Sequence, residues 1–208
     1  MHKPRELKSL KYQSLKGFSD YQISRHHDVV YADHVKQLNS IENKVGSLDL
    51  DKSSLYQYLW ELKVEEVAEK NAVKLHEAYF AEMGAGTNKP VGEIAKLINQ
   101  DFGSYEAWKK EFLAAAQVCR GWVVLAYDLD DNKLINYLVD LSQLGGVWNA
   151  VIVLTIDCFE HAYSFEGAPN HQAYIEAFMQ NIDWDYVNLT AHQYGIIERR
   201  RHKEKVCI

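Results

Sequence analysis

The strongest constraint on this chain is the stretch 53–83, which contains neither glycine nor proline. Within it Leu55, Leu59, Leu62, Val67, Ala68, Ala72, Leu75 and Tyr79 recur at helical spacing and build one long apolar side. A helix of that length, interrupted at most once, needs a partner of comparable length to cover it. The partner lies upstream. Between residues 22 and 39 the positions Ile23, Val30, Val35 and Leu38 recur close to the same period. Gly17 supplies a break before this segment, and Asp20 is a candidate cap. The long stretch stops at Gly84-Ala85-Gly86-Thr87-Asn88, a plain loop signal. An antiparallel helical hairpin is therefore expected in the N-terminal half.

Beyond Pro90 the pattern changes. Ile94, Leu97 and Ile98 mark one short helix; Trp108, Phe112 and Leu113 mark a second, opened by the Ser104-x-x-Ala107 turn. Residues 121–127 are then rich in β-formers and end at the turn Asp128-Leu129-Asp130-Asp131-Asn132. Residues 134–139 read as the returning strand, 150–156 as a third strand, and 173–178 as a helix. The expected class is α+β: an N-terminal antiparallel helical hairpin packed on a C-terminal domain with a small three-stranded antiparallel sheet flanked by helices. The division is expected in the glycine-rich loop, with domains 1–86 and 87–208.

Composition narrows the function. A chain of 208 residues can bury a core of its own, and a formal charge of −6 argues against nucleic-acid binding, which needs a basic face. The basic stretch 199–205 reads as a solvated charged end. No apolar run approaches the roughly eighteen residues of a membrane span, and the first residues lack the apolar core of a signal peptide. The three cysteines, Cys119, Cys158 and Cys207, are odd in number and far apart, matching neither a disulfide framework nor a thiolate metal site. Cys158 reads as packed rather than reactive. A reducing, cytoplasmic location is expected.

Nine histidines are more than a surface needs. His26 shares a helix side with Ile23 and Val30, and His76 lies between Leu75 and Tyr79 on the long helix. Asp157 closes an apolar strand, where an unpaired carboxylate is costly to bury, and His161 follows four residues later. A carboxylate and an imidazole so placed can point into one cavity, and a bound cation would remove the cost of burying the charge. Each residue also has a plainer reading: a hydrogen-bonded core or surface histidine, or, for Asp157, a helix cap. Spacing alone does not pair His26 with His161.

The surrounding residues do. Asp157-Cys158-Phe159-Glu160-His161-Ala162-Tyr163 resembles the Asp-x-Trp-Glu-His-Ala-Tyr signature of the iron/manganese superoxide dismutase family. Asp101-Phe102-Gly103-Ser104-Tyr105 with Phe112-Leu113-Ala114-Ala115-Ala116 resembles its mid-chain helices, and Gly121-Trp122-Val123 its first strand. Ile23-Ser24-Arg25-His26-His27 is similar to its first metal-binding helix, and Asn181-Ile182-Asp183-Trp184-Asp185-Tyr186 to its C-terminal stretch. The resemblance implies one iron or manganese ion per subunit, held by His26, His76, Asp157 and His161. Nitrogen and oxygen donors of intermediate hardness suit either metal. It also implies that Glu160 reaches a ligand histidine of a second subunit, and hence a homodimer.

The residues around that ligand set depart from the family. Its gateway histidine, four residues after His26, is Val30 here; its channel tyrosine, four further on, is His34. Two tryptophan positions carry Phe80 and Phe159, the second tryptophan of the first strand is Val124, and the tyrosine after Tyr163 is Ser164. The glutamine facing the metal-bound solvent comes, in iron-type members, from the position of Ala72; in manganese-type members Gln143 is the candidate. The implied function is superoxide dismutation to oxygen and hydrogen peroxide, with His34 and Gln143 handling protons and Trp122 and Tyr163 walling the site. Smaller side chains around the metal leave a second reading open: an oxidase or oxygenase that uses dioxygen on a small organic substrate. A non-catalytic scaffold is a third, and it has no need of four ligands.

Overall fold

The computed structural model describes residues 3–84, 89–141, 146–164 and 170–206. Helix α1 (Asp20–Ser24), a π-helical segment (Arg25–Tyr31) and α2 (Ala32–Gly46) follow one another without a break. The expected helix 22–39 is thus longer at both ends. Its cap is Ser19, whose hydroxyl accepts from Gln22 N, rather than Asp20, which is the first helical residue. A 3₁₀ turn (Ser53–Leu55) leads into α3 (Tyr56–Ala81), which runs back along α2. Val35, Leu38 and Ile41 of α2 and Leu62 and Val73 of α3 are buried. Ion pairs join the two helices on the wet side, with Lys70 Nζ 3.0 Å from Glu42 Oε1.

The expected interdomain boundary between residues 86 and 87 lies outside the described residues. After it come α4 (Gly92–Phe102) and α5 (Tyr105–Val118). Ser104 starts α5 by accepting from Ala107 N, the turn expected from the sequence. The sheet is antiparallel, with β1 (Trp122–Asp128) between β2 (Lys133–Val139) and β3 (Ala150–Asp157). β1 is buried along its whole length, which explains its continuous apolar run. The register pairs Trp122 with Asp157 across β1 and β3, and it shifts at Leu125/Ala126, where β3 bulges. α6 (Glu160–Tyr163), α7 (His171–Gln180), α8 (Trp184–Gln193) and α9 (Ile196–Val206) complete the chain. The last two were not expected. The basic stretch is the outer part of α9, where Arg200 ties the helix to Asp101 and to the carbonyl of Asn132.

One core cluster joins hairpin and sheet. Tyr79, Phe80 and Met83 from α3 meet Trp122, Leu154, Ile156, Tyr174 and Phe178 in it. The segment leaving α3 is stitched to the start of α8 by Gly84 N donating to Asn181 O and Asp183 N donating to Glu82 O. The N-terminal stretch lies along this assembly, with Arg5 and Lys8 paired to Glu77 and Lys11 to Asp183. No described helix is long and apolar enough to cross a membrane.

Candidate metal centre

Four elements send one donor each to a single point. His26 comes from the π-helical segment, His76 from α3, Asp157 from the last position of β3, and His161 from α6. Their ligating atoms all lie within 4.8 Å of one another. Asp157 Oδ2 is the hub, 3.0 Å from His26 Nε2, 3.0 Å from His161 Nε2 and 3.6 Å from His76 Nε2. The other carboxylate oxygen is occupied, because Oδ1 accepts from Phe159 N at 2.9 Å. π-Helical turns concentrate at functional sites, and here the wider turn carries His26.

The electrostatics suit a cation. Burial lowers the pKa of His26 and takes that of His76 well below the usual imidazole value, so both are neutral donors at physiological pH. Burial alone would raise the Asp157 carboxyl. Hydrogen bonds from His161 and His26 hold it well below the ordinary carboxylate range instead. A dry carboxylate facing neutral imidazoles is an uncompensated charge, and His76 Nε2 is a buried nitrogen with no hydrogen-bond partner. One metal ion would satisfy both, and a set of three nitrogens and one oxygen fits iron or manganese.

The groups behind the donors are also fixed. His76 Nδ1 sits 2.8 Å from the carbonyl of Ala72, which leaves Nε2 as the donor atom. Tyr174 Oη donates to the Asp157 carbonyl at 2.6 Å and lies 3.1 Å from Tyr79 Oη. His27, the neighbour of His26, is turned away and engaged by Asp28 and the Lys8 carbonyl. Phe80 packs edge-on to His26 at 5.0 Å, Phe159 stacks on His161 at 5.3 Å, and Trp122 meets His76 at 4.9 Å. His34 lies 5.2 Å from the His76 ring, with Nδ1 2.7 Å from Glu69 Oε2. Val30 is half-buried on the first helix. His161 is the open side of the cluster, its side chain 31 % exposed against 0–1 % for the other three.

Tyr163 stands further out, stacked on His171 at 4.5 Å and beside Tyr174. Gln143 lies outside the described residues. Glu160 is exposed at the first turn of α6. The two phenylalanines at tryptophan positions fill their places against the ligand rings. The space beside Val124 opens elsewhere, as a cavity of about 310 Å³ between Asn71, Lys74, Tyr137 and Trp148 that includes none of the four donors. Sequence reading missed Glu69, Tyr79 and Tyr174. Glu69 and Tyr79 stand two turns before and one turn after His76 on the same helix side, a spacing that could have marked them.

A helical hairpin closed on an α+β domain, with three imidazoles and one carboxylate converging at a dry point, is the architecture of a mononuclear metal oxidoreductase. The comparisons make that class specific. Residues 90–190 match the family model described as iron/manganese superoxide dismutases, C-terminal domain. The chain is 34% identical over 193 residues to a protein named superoxide dismutase [Fe] of Aquifex aeolicus (strain VF5), covering 90% of this chain and 91% of that one. It is 35% identical over 173 residues to a superoxide dismutase [Fe] of Cupriavidus metallidurans, covering 82% and 86%. It is 40% identical over 112 residues to superoxide dismutase [Mn] 2 of Haloferax volcanii, covering 53% and 56%. The chain belongs to the iron/manganese superoxide dismutase family.

Proposed function

We propose that this chain converts superoxide to oxygen and hydrogen peroxide at one iron or manganese ion held by His26, His76, Asp157 and His161. The observation that carries the reading is the convergence of those four ligating atoms within 4.8 Å, three of the residues being fully buried. Bound there, either metal supplies a one-electron couple that alternates between two oxidation states. The chain's own residues do the rest. The Ala72 carbonyl orients His76, and Tyr174 steadies the backbone of Asp157. Phe80, Phe159 and Trp122 keep bulk water from the donors, so the field of the fixed charges acts at low dielectric. The exposed edge of His161 marks the side from which a small anion reaches the centre.

His34 takes the proton-handling place. Its Nδ1 is engaged by Glu69, which fixes the ring and leaves Nε2 to pass a proton toward the reduced anion. Trp122 walls the site directly, whereas Tyr163 supports it from behind through Tyr174. Glu160 is exposed beside His161, and its contact with a ligand histidine of a second copy would make the protein a homodimer. The cytoplasm suits a chain whose cysteines are odd in number and widely spaced in sequence.

The test is superoxide removal by protein loaded separately with iron and with manganese, with metal content measured alongside. The expected result is close to one ion per chain and a kcat/KM approaching ~10⁸–10⁹ M⁻¹s⁻¹ with one of the metals. Asp157→Ala is expected to lose both metal and turnover while keeping its helical circular dichroism. A fully loaded protein with negligible dismutation would overturn the reading.

A further inference from the structure

Both described cysteines are free and buried, as the sequence leads one to expect, but they are not far apart in the fold. Cys119 and Cys158 are far apart in sequence, yet the fold brings both to Gly121, at the end of the β1–β3 pair. Cys119 caps α5, where the backbone turns extended (φ −71°, ψ 142°) and enters β1 through Gly121. Its Sγ accepts from Gly121 N at 3.3 Å and reaches the Trp122 carbonyl at 3.3 Å. Cys158 continues the β1–β3 ladder one position beyond the Trp122–Asp157 pair, its N–H donating to Gly121 O at 2.7 Å. Both cysteines are thus tied to one residue, Gly121, the first through its sulfur and the second through its backbone. Both are buried, at 4 % and 1 % exposure, and Cys158 directly follows the donor Asp157.

We propose that Cys119 and Cys158 are a paired modification site that hydrogen peroxide converts to a disulfide. In the first step one sulfur attacks a peroxide oxygen. The O–O bond breaks, and the products are a sulfenic acid and one water. In the second step the other thiol attacks that sulfur. An S–S bond forms, the S–O bond breaks, and the hydroxyl leaves with the thiol proton as a second water. Two thiols and one peroxide thus become one disulfide and two waters, the sulfurs giving two electrons and the peroxide accepting them. Burial beside a second thiol favours this closure over further oxidation, because the sulfenic acid meets its partner before another peroxide. The bond would staple the end of α5 to the end of β3, across the strand pair that sets Trp122 against Asp157. The proposal rests on the dismutase reading only for the source of the peroxide.

The experiment treats the full-length, metal-loaded protein with added hydrogen peroxide. It is then alkylated under denaturing conditions, digested without reductant and analysed by mass spectrometry. The expected result is a peptide pair joined through Cys119 and Cys158, the free thiols falling from three to one, and full recovery with dithiothreitol. In Cys207→Ser protein the same pair should form and free thiols should fall from two to none. Free alkylated thiols at both positions, separate sulfinic or sulfonic acids, or a bridge to Cys207 would each overturn the proposal. Because the peroxide is added, a protein that forms the bridge without dismutating superoxide supports this site while losing the dismutase reading.

Discussion

Glu82 shows how much one carboxyl can be asked to carry. It is buried to 1 % exposure at the end of α3, and its Oε2 accepts from Thr155 N at 2.7 Å. Burial pushes its pKa up to about 8, the Thr155 amide and the charge of Lys11 pulling the other way. The folded chain therefore keeps this proton through a range where the unfolded chain, near 4.5, has lost it. Stability from the protonated group is complete below about pH 4.5 and is lost as the pH rises toward 8. Glu82→Gln keeps an acceptor for Thr155 and removes the titration. Its Tm advantage over the parent should be near zero at about pH 4.5 and grow to the equivalent of ~4 kcal/mol by about pH 8. Thermal unfolding across that range checks it, and a pH-independent difference would sink the account. Residues like this are hard to read from sequence. Asp157 was legible because it ends an apolar strand. Glu82 ends a helix in the ordinary way, and its partner is 73 residues away.

Elements were read best where their own pattern was long. The hairpin helices and all three strands follow from periodicity, because α3 has no breaker and β1 has no polar interruption. The π-helical segment was not legible: Arg25-His26-His27-Asp28-Val29-Val30-Tyr31 has nothing that forbids an ordinary helix, and the wider turn reflects where His26 must point. α9 was missed for another reason, since Glu198, Arg199, Arg200 and Arg201 leave it no apolar stripe. The join between α5 and β1 rests on Gly121. A Cβ there would stand 2.2 Å from the Val139 carbonyl and 2.4 Å from that of Asp140, contacts with backbone that cannot rotate away. Gly121→Ala should cost at least ~2 kcal/mol, a fall in Tm of roughly 5 °C for a chain of this size. It should also reduce metal retention, because β1 aligns Trp122 with Asp157. Gly46→Ala, where nothing lies within 4 Å, is the control and should leave Tm unchanged within about 2 °C.

At the scale of the molecule, the centre belongs to the assembled fold and to no local stretch. Its donors run from His26 to His161, so no spacing rule could collect them. Likeness to a family linked them in sequence, and the packing of hairpin on sheet brings them within reach of one another. The same scale holds the subunit question. The metal-loaded protein should elute at about twice its 24.0 kDa chain mass, and Glu160→Ala should shift it toward the monomer and lower turnover together. A monomeric parent with full activity would remove Glu160 from the site. The hairpin has a second consequence. β3 reads Ala-Val-Ile-Val-Leu-Thr-Ile-Asp and is an edge of the sheet, yet α3 covers it, and the Glu82 carboxyl takes the outward amide of Thr155. A bare edge of that composition is a template to which other copies can add strand by strand, the first stage of cross-β aggregation. The helices that carry His26 and His76 are also the sheet's shield against that fate, so what loosens the hairpin would also make the protein insoluble.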